Sequence, residues 1–222
     1  TLISNGSGID GVFAKQLSKF RWYWVQISLD SHLPEKHDAI RKKKGAWRQA
    51  VLAVEFLKNN NIPVSIASVI SKDNIEDMED IIRLALSINV DQIIFSSVLY
   101  SGRASLNKEY FLTEKAFILK FEELNKKYKN QIILKRAATH SEQMKNIHDQ
   151  PPASLIVRPN GDVKLDCTLP FIIGNIRENN IIEIWAKAKK LYEEESFKEY
   201  IKNALTDKFS VVANNTNNDI RY

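Results

Sequence analysis

The feature that most restricts this fold is an alternation. Runs rich in β-branched and aromatic residues take turns with segments whose apolar residues recur at helical spacing. Strands are predicted over residues 1–4, 22–27, 63–70, 90–95 and 131–134. Helices are predicted between them. The first covers 9–20, with Val12, Phe13 and Leu17 as its apolar stripe, and the second covers 46–60, with Trp47, Val51, Val54 and Leu57. A third runs to Ser87 under an Asp73 or Asn74 cap, and a fourth covers 113–128, with Phe117, Leu119, Phe121 and Leu124. Such alternation marks parallel βα units, and right-handed crossovers are close to obligatory between them. The expected fold is α/β, part of a TIM-type (β/α) barrel.

Trp22, Tyr23, Trp24, Val25 and Ile27 make one strand nearly continuous in apolar character, which predicts burial on both faces. Its exit turns abruptly polar, with Ser28, Asp30 and Ser31. A loop carrying His32, Pro34, His37, Asp38 and Arg41 is expected next, before Gly45-Ala46-Trp47 opens a helix. The ends of parallel strands are where such folds gather ligands. Ser28 and Asp30, two apart, share one face of the strand. A hydroxyl and a carboxylate there suit ribose hydroxyls or an amino-acid head group. Arg41 suits a carboxylate, or is a solvated loop charge.

The segment VQISLDSHLPEKHDAIRKKKGAW resembles the fourth-strand region of radical S-adenosylmethionine (radical SAM) enzymes. There a Ser-x-Asp strand end precedes a His-Asp-x-x-Arg loop and a Gly-aromatic helix start. Ser31 stands where the family usually has Gly. The resemblance runs on through PVSIASVISKDNIEDMEDIIRLALSINVDQIIF and SVLYSGRA, and resumes at LIVRPNGDVKLDC and GNIRENNIIEIW. The last two look like the start of the SPASM or twitch extension of peptide- and protein-modifying members. By resemblance Ser28, Asp30, Arg41, Asn74 and Gly102 would contact S-adenosylmethionine. Asn74 is equally an N-cap, and Gly102 equally a loop glycine. The implied activity is reductive cleavage of S-adenosylmethionine to a 5′-deoxyadenosyl radical, which modifies a peptide or protein substrate.

Two departures qualify that expectation. The family holds its [4Fe–4S] cluster with a CxxxCxxC loop after the first strand, and this sequence contains only Cys167. The chain opens in what resembles the third strand, so an N-terminal segment carrying the loop, or a partner subunit, is expected to supply it. The chain alone is then expected to be inactive. Cys167 matches the first ligand of an auxiliary cluster in the extension, but one thiolate does not make a cluster. A second reading is a degenerate, non-catalytic module that binds a peptide or docks a partner.

Composition narrows the rest. The 222 residues carry 32 Lys and Arg against 27 Asp and Glu, a net +5, with Arg41-Lys42-Lys43-Lys44 the one basic run. Nucleic acid is not the expected partner, because no basic stripe with interleaved aromatics occurs. No apolar stretch reaches the roughly 18 residues of a membrane span. One cysteine fits a reducing, cytoplasmic setting. The four histidines are read as solvated or local hydrogen-bonders, not metal ligands. Residues 137–150 are polar with weak periodicity, and Pro151-Pro152 suggests a boundary between residues 1–150, the partial barrel, and 151–222, the SPASM/twitch-like extension. Beyond it, Asn160-Gly161 predicts a hairpin turn between strands 154–157 and 163–167. Helices are expected over 181–190 and 193–204, with a frayed Asn-rich end over 213–222.

Overall fold

In the computed structural model, residues 1–99, 104, 107–150, 153–206 and 220–221 are described. Packing divides the chain into two units, one of residues 1–98 and 110–137, the other of residues 99–109 and 138–222. This division falls between Ala137 and Ala138; Pro151 and Pro152 lie outside the described residues.

The first unit follows the predicted alternation. Its elements are β1 (Leu2–Ser4), α1 (Gly11–Leu17), β2 (Val25–Ser28), α2 (Pro34–Arg41), α3 (Ala46–Asn59), β3 (Val64–Ile70), α4 (Met78–Ser87), β4 (Gln92–Ser97), α5 (Glu114–Tyr128) and β5 (Ile133–Arg136). The strands form one five-stranded sheet in the order β1-β2-β3-β4-β5. Every neighbouring pair is parallel. Among the described residues the sheet is open, with β1 and β5 as its edges.

Register sorts the side chains into two faces. One carries Val25, Ile27, Val64, Ile66, Ile93, Phe95 and Leu134, and helical residues such as Val54, Leu57, Ile81, Phe117 and Leu124 complete its core. Each such aliphatic or aromatic side chain, fully buried, stabilises by about 1.5–3 kcal/mol. The opposite face is exposed in part among the described residues, although Ser65 and Gln92 on it are buried. Ser28, Ala67, Ile94 and Lys135 pair in succession and so form one row across it. Ile3, Val69 and Ile133 share this face and are exposed. The predicted burial of β2 on both faces is therefore corrected. Trp22, Tyr23 and Trp24 lie before the strand, Tyr23 is 73% exposed, and within β2 burial alternates.

Other details differ for local reasons. On α1, Val12 and Phe13 are exposed and the core takes Ala14 and Leu17. Leu119 on α5 is likewise exposed. The segment expected as a loop over His32 to Arg41 is largely helix α2, started by Pro34 at its first turn, where a missing N–H costs nothing. Helix α4 begins at Met78, because Asn74 turns its side chain back to Ser71 instead of capping a helix. At the Asn5-Gly6 turn, Gly6 has φ +83° and a Cβ there would lie 3.0 Å from Ala50 Cα, so the turn packs on α3 only as glycine.

The second unit contains α6 (His140–Asp149), β6 (Ile156–Val157), β7 (Asp162–Lys164), β8 (Phe171–Asn175), α7 (Ile181–Glu193), α8 (Glu195–Thr206) and β9 (Ile220–Arg221). The expected hairpin is present: β6 and β7 pair antiparallel, and Gly161 adopts φ +91° at the turn. Strand β8 extends this sheet, and β9 pairs parallel to it, so Ile220 and Arg221 are not frayed as expected. Leu165, Phe171, Ile184, Leu191, Phe197 and Ile201 are among its core residues.

Candidate functional site at the ends of β2 and β3

Asp30 stands just past the last residue of β2 and is 2% exposed. A carboxylate buried so deeply must have its hydrogen bonds satisfied. Its backbone N–H donates to His37 Nδ1 at 3.1 Å. Its carbonyl accepts from Asn74 Nδ2 at 2.9 Å, and its Oδ1 accepts the Val69 N–H at 3.0 Å. Its Oδ2 pairs with Arg41 Nη2 at 2.7 Å. One residue thus ties the exit of β2 to β3, to the turn after β3 and to α2.

Helix α2 is what delivers two of these partners. His37 and Arg41 are four residues apart and so share one helical face. Asp38, on another face, accepts the N–H groups of Gly45 and Trp47 at the start of α3. Those backbone donors, Trp47 first, hold the Asp38 carboxyl below its ordinary range, as expected for an anion at a helix N-terminus. The His-Asp-x-x-Arg spacing therefore has a local physical meaning: His and Arg serve Asp30, and Asp docks α3. Because Nδ1 of His37 accepts a hydrogen bond, the neutral ring carries its proton on Nε2. Burial lowers the His37 pKa; Arg41 also lowers it, while Asp30 and Asp38 pull the other way.

The predicted residues fare differently in this geometry. Ser28 ends β2 on the open face, half-buried, and its hydroxyl makes no hydrogen bond within the protein among the described residues. Arg41 is a third exposed and spends one nitrogen on Asp30, leaving the rest of the fork to solvent. Asn74 is 1% exposed and fully engaged. Its Nδ2 donates to Asp30 and Val69 carbonyls, and its Oδ1 accepts from the Ser71 N–H and hydroxyl. Gly102 lies outside the described residues. Two contributions had escaped the sequence reading. The Asp30 to Arg41 pair was masked by treating each as a ligand group. Lys135 was missed because the last strand was drawn short of it.

Cys167, in the second unit, lies in the turn after β7 and is exposed. Asp166 organises this turn by accepting from the Thr168 N–H, the Thr168 hydroxyl and Gln143 Nε2, the last at 3.1 Å to each oxygen. Surrounding protein, then the Asp166 charge, push the thiol above its ordinary range, which disfavours a thiolate. An iron–sulfur cluster needs several thiolates, whereas this sequence has one cysteine. No three His, Cys, Asp or Glu side chains converge as a metal site among the described residues. The residues present therefore do not fit a cluster by themselves, and further ligands would have to come from other polypeptide.

Residues 149–210 match the SPASM family, described as an iron-sulfur cluster-binding domain. The PqqA peptide cyclase of Rhizobium meliloti is 25% identical over 211 residues, covering 90% of this chain and 54% of its own. The pre-heme d1 synthase of Dinoroseobacter shibae is 29% identical over 107 residues, covering 48% of this chain and 26% of its own. The chain is similar to radical SAM proteins that carry a SPASM domain. Solved structures share its fold. One is anSMEcpe with bound AdoMet and the Kp18Cys peptide, at TM-score 0.59 and 16% identity, over 92% of this chain and 59% of that one. Another is Streptococcus suis SuiB bound to the precursor peptide SuiA, at TM-score 0.61 and 8% identity, over 89% and 48%. The chain spans about half or less of the curated relatives it matches.

Proposed function

We propose that the chain is the S-adenosylmethionine- and substrate-holding part of a cytoplasmic radical SAM protein that modifies a peptide or protein. S-adenosylmethionine would supply the 5′-deoxyadenosyl group that abstracts hydrogen from the substrate. The chain's own residues do the holding. The Asp30-centred network carries this reading, because it fixes the strand ends while leaving two groups uncommitted. Ser28 offers a hydroxyl to a ribose or methionine oxygen, and Arg41 offers its remaining guanidinium N–H groups to a carboxylate. Asp30, already paired, acts in this proposal by holding Arg41, and Asn74 by holding Asp30. Gly102 would approach the cofactor through its backbone. Cys167 would contribute one ligand to an auxiliary cluster completed by other polypeptide. The peptide-cyclase relative and the peptide-bound neighbours support a peptide substrate.

Calorimetric titration with S-adenosylmethionine tests the assignment. The wild-type chain should bind, and Arg41→Ala should weaken binding about tenfold to hundredfold, the worth of a charge-assisted hydrogen bond. Ser28→Ala should weaken it less. Equal affinity across the three proteins would reduce both residues to bystanders. Absence of binding by the wild type would favour a degenerate docking module.

A further inference from the structure

We propose that Lys135 selects substrates carrying an acidic side chain. The inference rests on the reading above, that the chain holds a peptide substrate, and seats that peptide on the open face of the sheet. In β5, Leu134 is buried against the helices, while Ile133 and Lys135 point to the opposite face and are exposed. Register places Lys135 in the same row as Ser28, with Ala67 and Ile94 between them. Three strand spacings separate the ends of this row, roughly 14 Å at the usual interstrand distance. The row therefore reads as a hydroxyl, two neutral positions and an ammonium.

Charge complementarity names the occupant. The Lys135 side chain makes no ion pair or hydrogen bond with any described residue. The carboxylate on the same side of the sheet, Asp30, is already paired with Arg41 and buried. An ammonium on the same strand face as exposed Ile133 sits where a peptide would have both apolar contact and one charge to satisfy. An Asp or Glu side chain placed about 14 Å from the Ser28 end meets both requirements, and a basic side chain would be repelled. The distance also separates the two binding tasks: the strand-end cluster at β2 holds one ligand, and β5 reads another.

Selection from a displayed library of random peptides, run in parallel on the full chain and three variants, tests this. Wild type and Lys135→Arg should enrich Asp or Glu at one peptide position. Lys135→Gln should lose that preference, and Lys135→Glu should replace it with Lys or Arg. For an enriched peptide and its Glu→Gln twin, wild type should discriminate about threefold to tenfold, less in high salt. Lys135→Gln should not discriminate. The same acidic preference on all four proteins, or none on wild type despite enriched peptides, would overturn the role of Lys135 and leave the peptide-binding reading intact. Enrichment of no peptide by any of the four would overturn that reading and this inference with it.

Discussion

At the scale of single residues, the strand-end cluster separates holding the fold from holding a ligand. In the sequence Arg41 is one cation of a basic run, yet its partner Asp30 is 2% exposed. Arg41→Ala therefore has a structural cost as well as a ligand cost, since it strands a buried carboxylate. Chemical denaturation should show a loss of about 1.5–3 kcal/mol, and no loss would mean that the ion pair contributes nothing. Arg41→Ala with Asp30→Asn should recover part of this, because the buried charge is gone. His37 gives a pH dependence whose sign is set by its lowered pKa. The unfolded chain then binds the proton more readily than the folded one. The His37 contribution is present above its unfolded pKa near 6.5 and is lost as pH falls below it. His37→Phe removes the acceptor for the Asp30 N–H, at a cost of about 1–3 kcal/mol, and should flatten the fall in stability below the unfolded pKa near 6.5. A mutant that retains the wild-type slope would exclude His37 as its source.

At the scale of elements, α4 and α5 are joined by a cluster on Glu79. Its Oε1 accepts from Arg83, from Lys127 at 2.9 Å and from the Tyr128 hydroxyl at 2.9 Å. Hydrogen bonds from Lys127, then Tyr128 and Arg83, lower its pKa to about 2. A depressed carboxylate stabilises fully above its ordinary pKa and loses that contribution as pH falls through the depressed one. Thermal melts of wild type and Glu79→Gln should therefore differ near pH 7 and converge as pH approaches 2. A constant difference down to that pH would show that charge is not what joins the helices. The elements legible in the sequence were those with strong periodicity and ordinary ends. They include α3, β3, α5 with its Thr113 cap, and the hairpin at Gly161. Helix α2 was read as a loop because its stability comes from a proline start and from contacts with Asp30, not from an apolar stripe. Helix α6 is polar too, although the Thr139 to Glu142 capping box was present in its sequence. For β2, three aromatic residues ahead of the strand disguised its alternation.

At the scale of the whole chain, a local pattern fixes which face of the sheet is covered. Every strand of the first unit is parallel to its neighbours, and consecutive strands are adjacent. Crossovers of one hand then leave their helices on the same side, and the other side keeps exposed positions such as Ile3, Val69 and Ile133. This is why Ser28, Ile94 and Lys135 share one surface although they are remote in sequence. The strand-end chemistry was legible because polar residues interrupt an apolar run there. The row to Lys135 was not, because it depends on register across four strands. Titration of the isotope-labelled chain with S-adenosylmethionine, followed residue by residue by NMR, tests the central claim most directly. The claim predicts saturable shifts concentrated at the backbone of Ser28 to Ser31, at His37 and Arg41, and at Val69 to Asn74. Shifts confined to the second unit, or no shifts at saturating ligand, would contradict it.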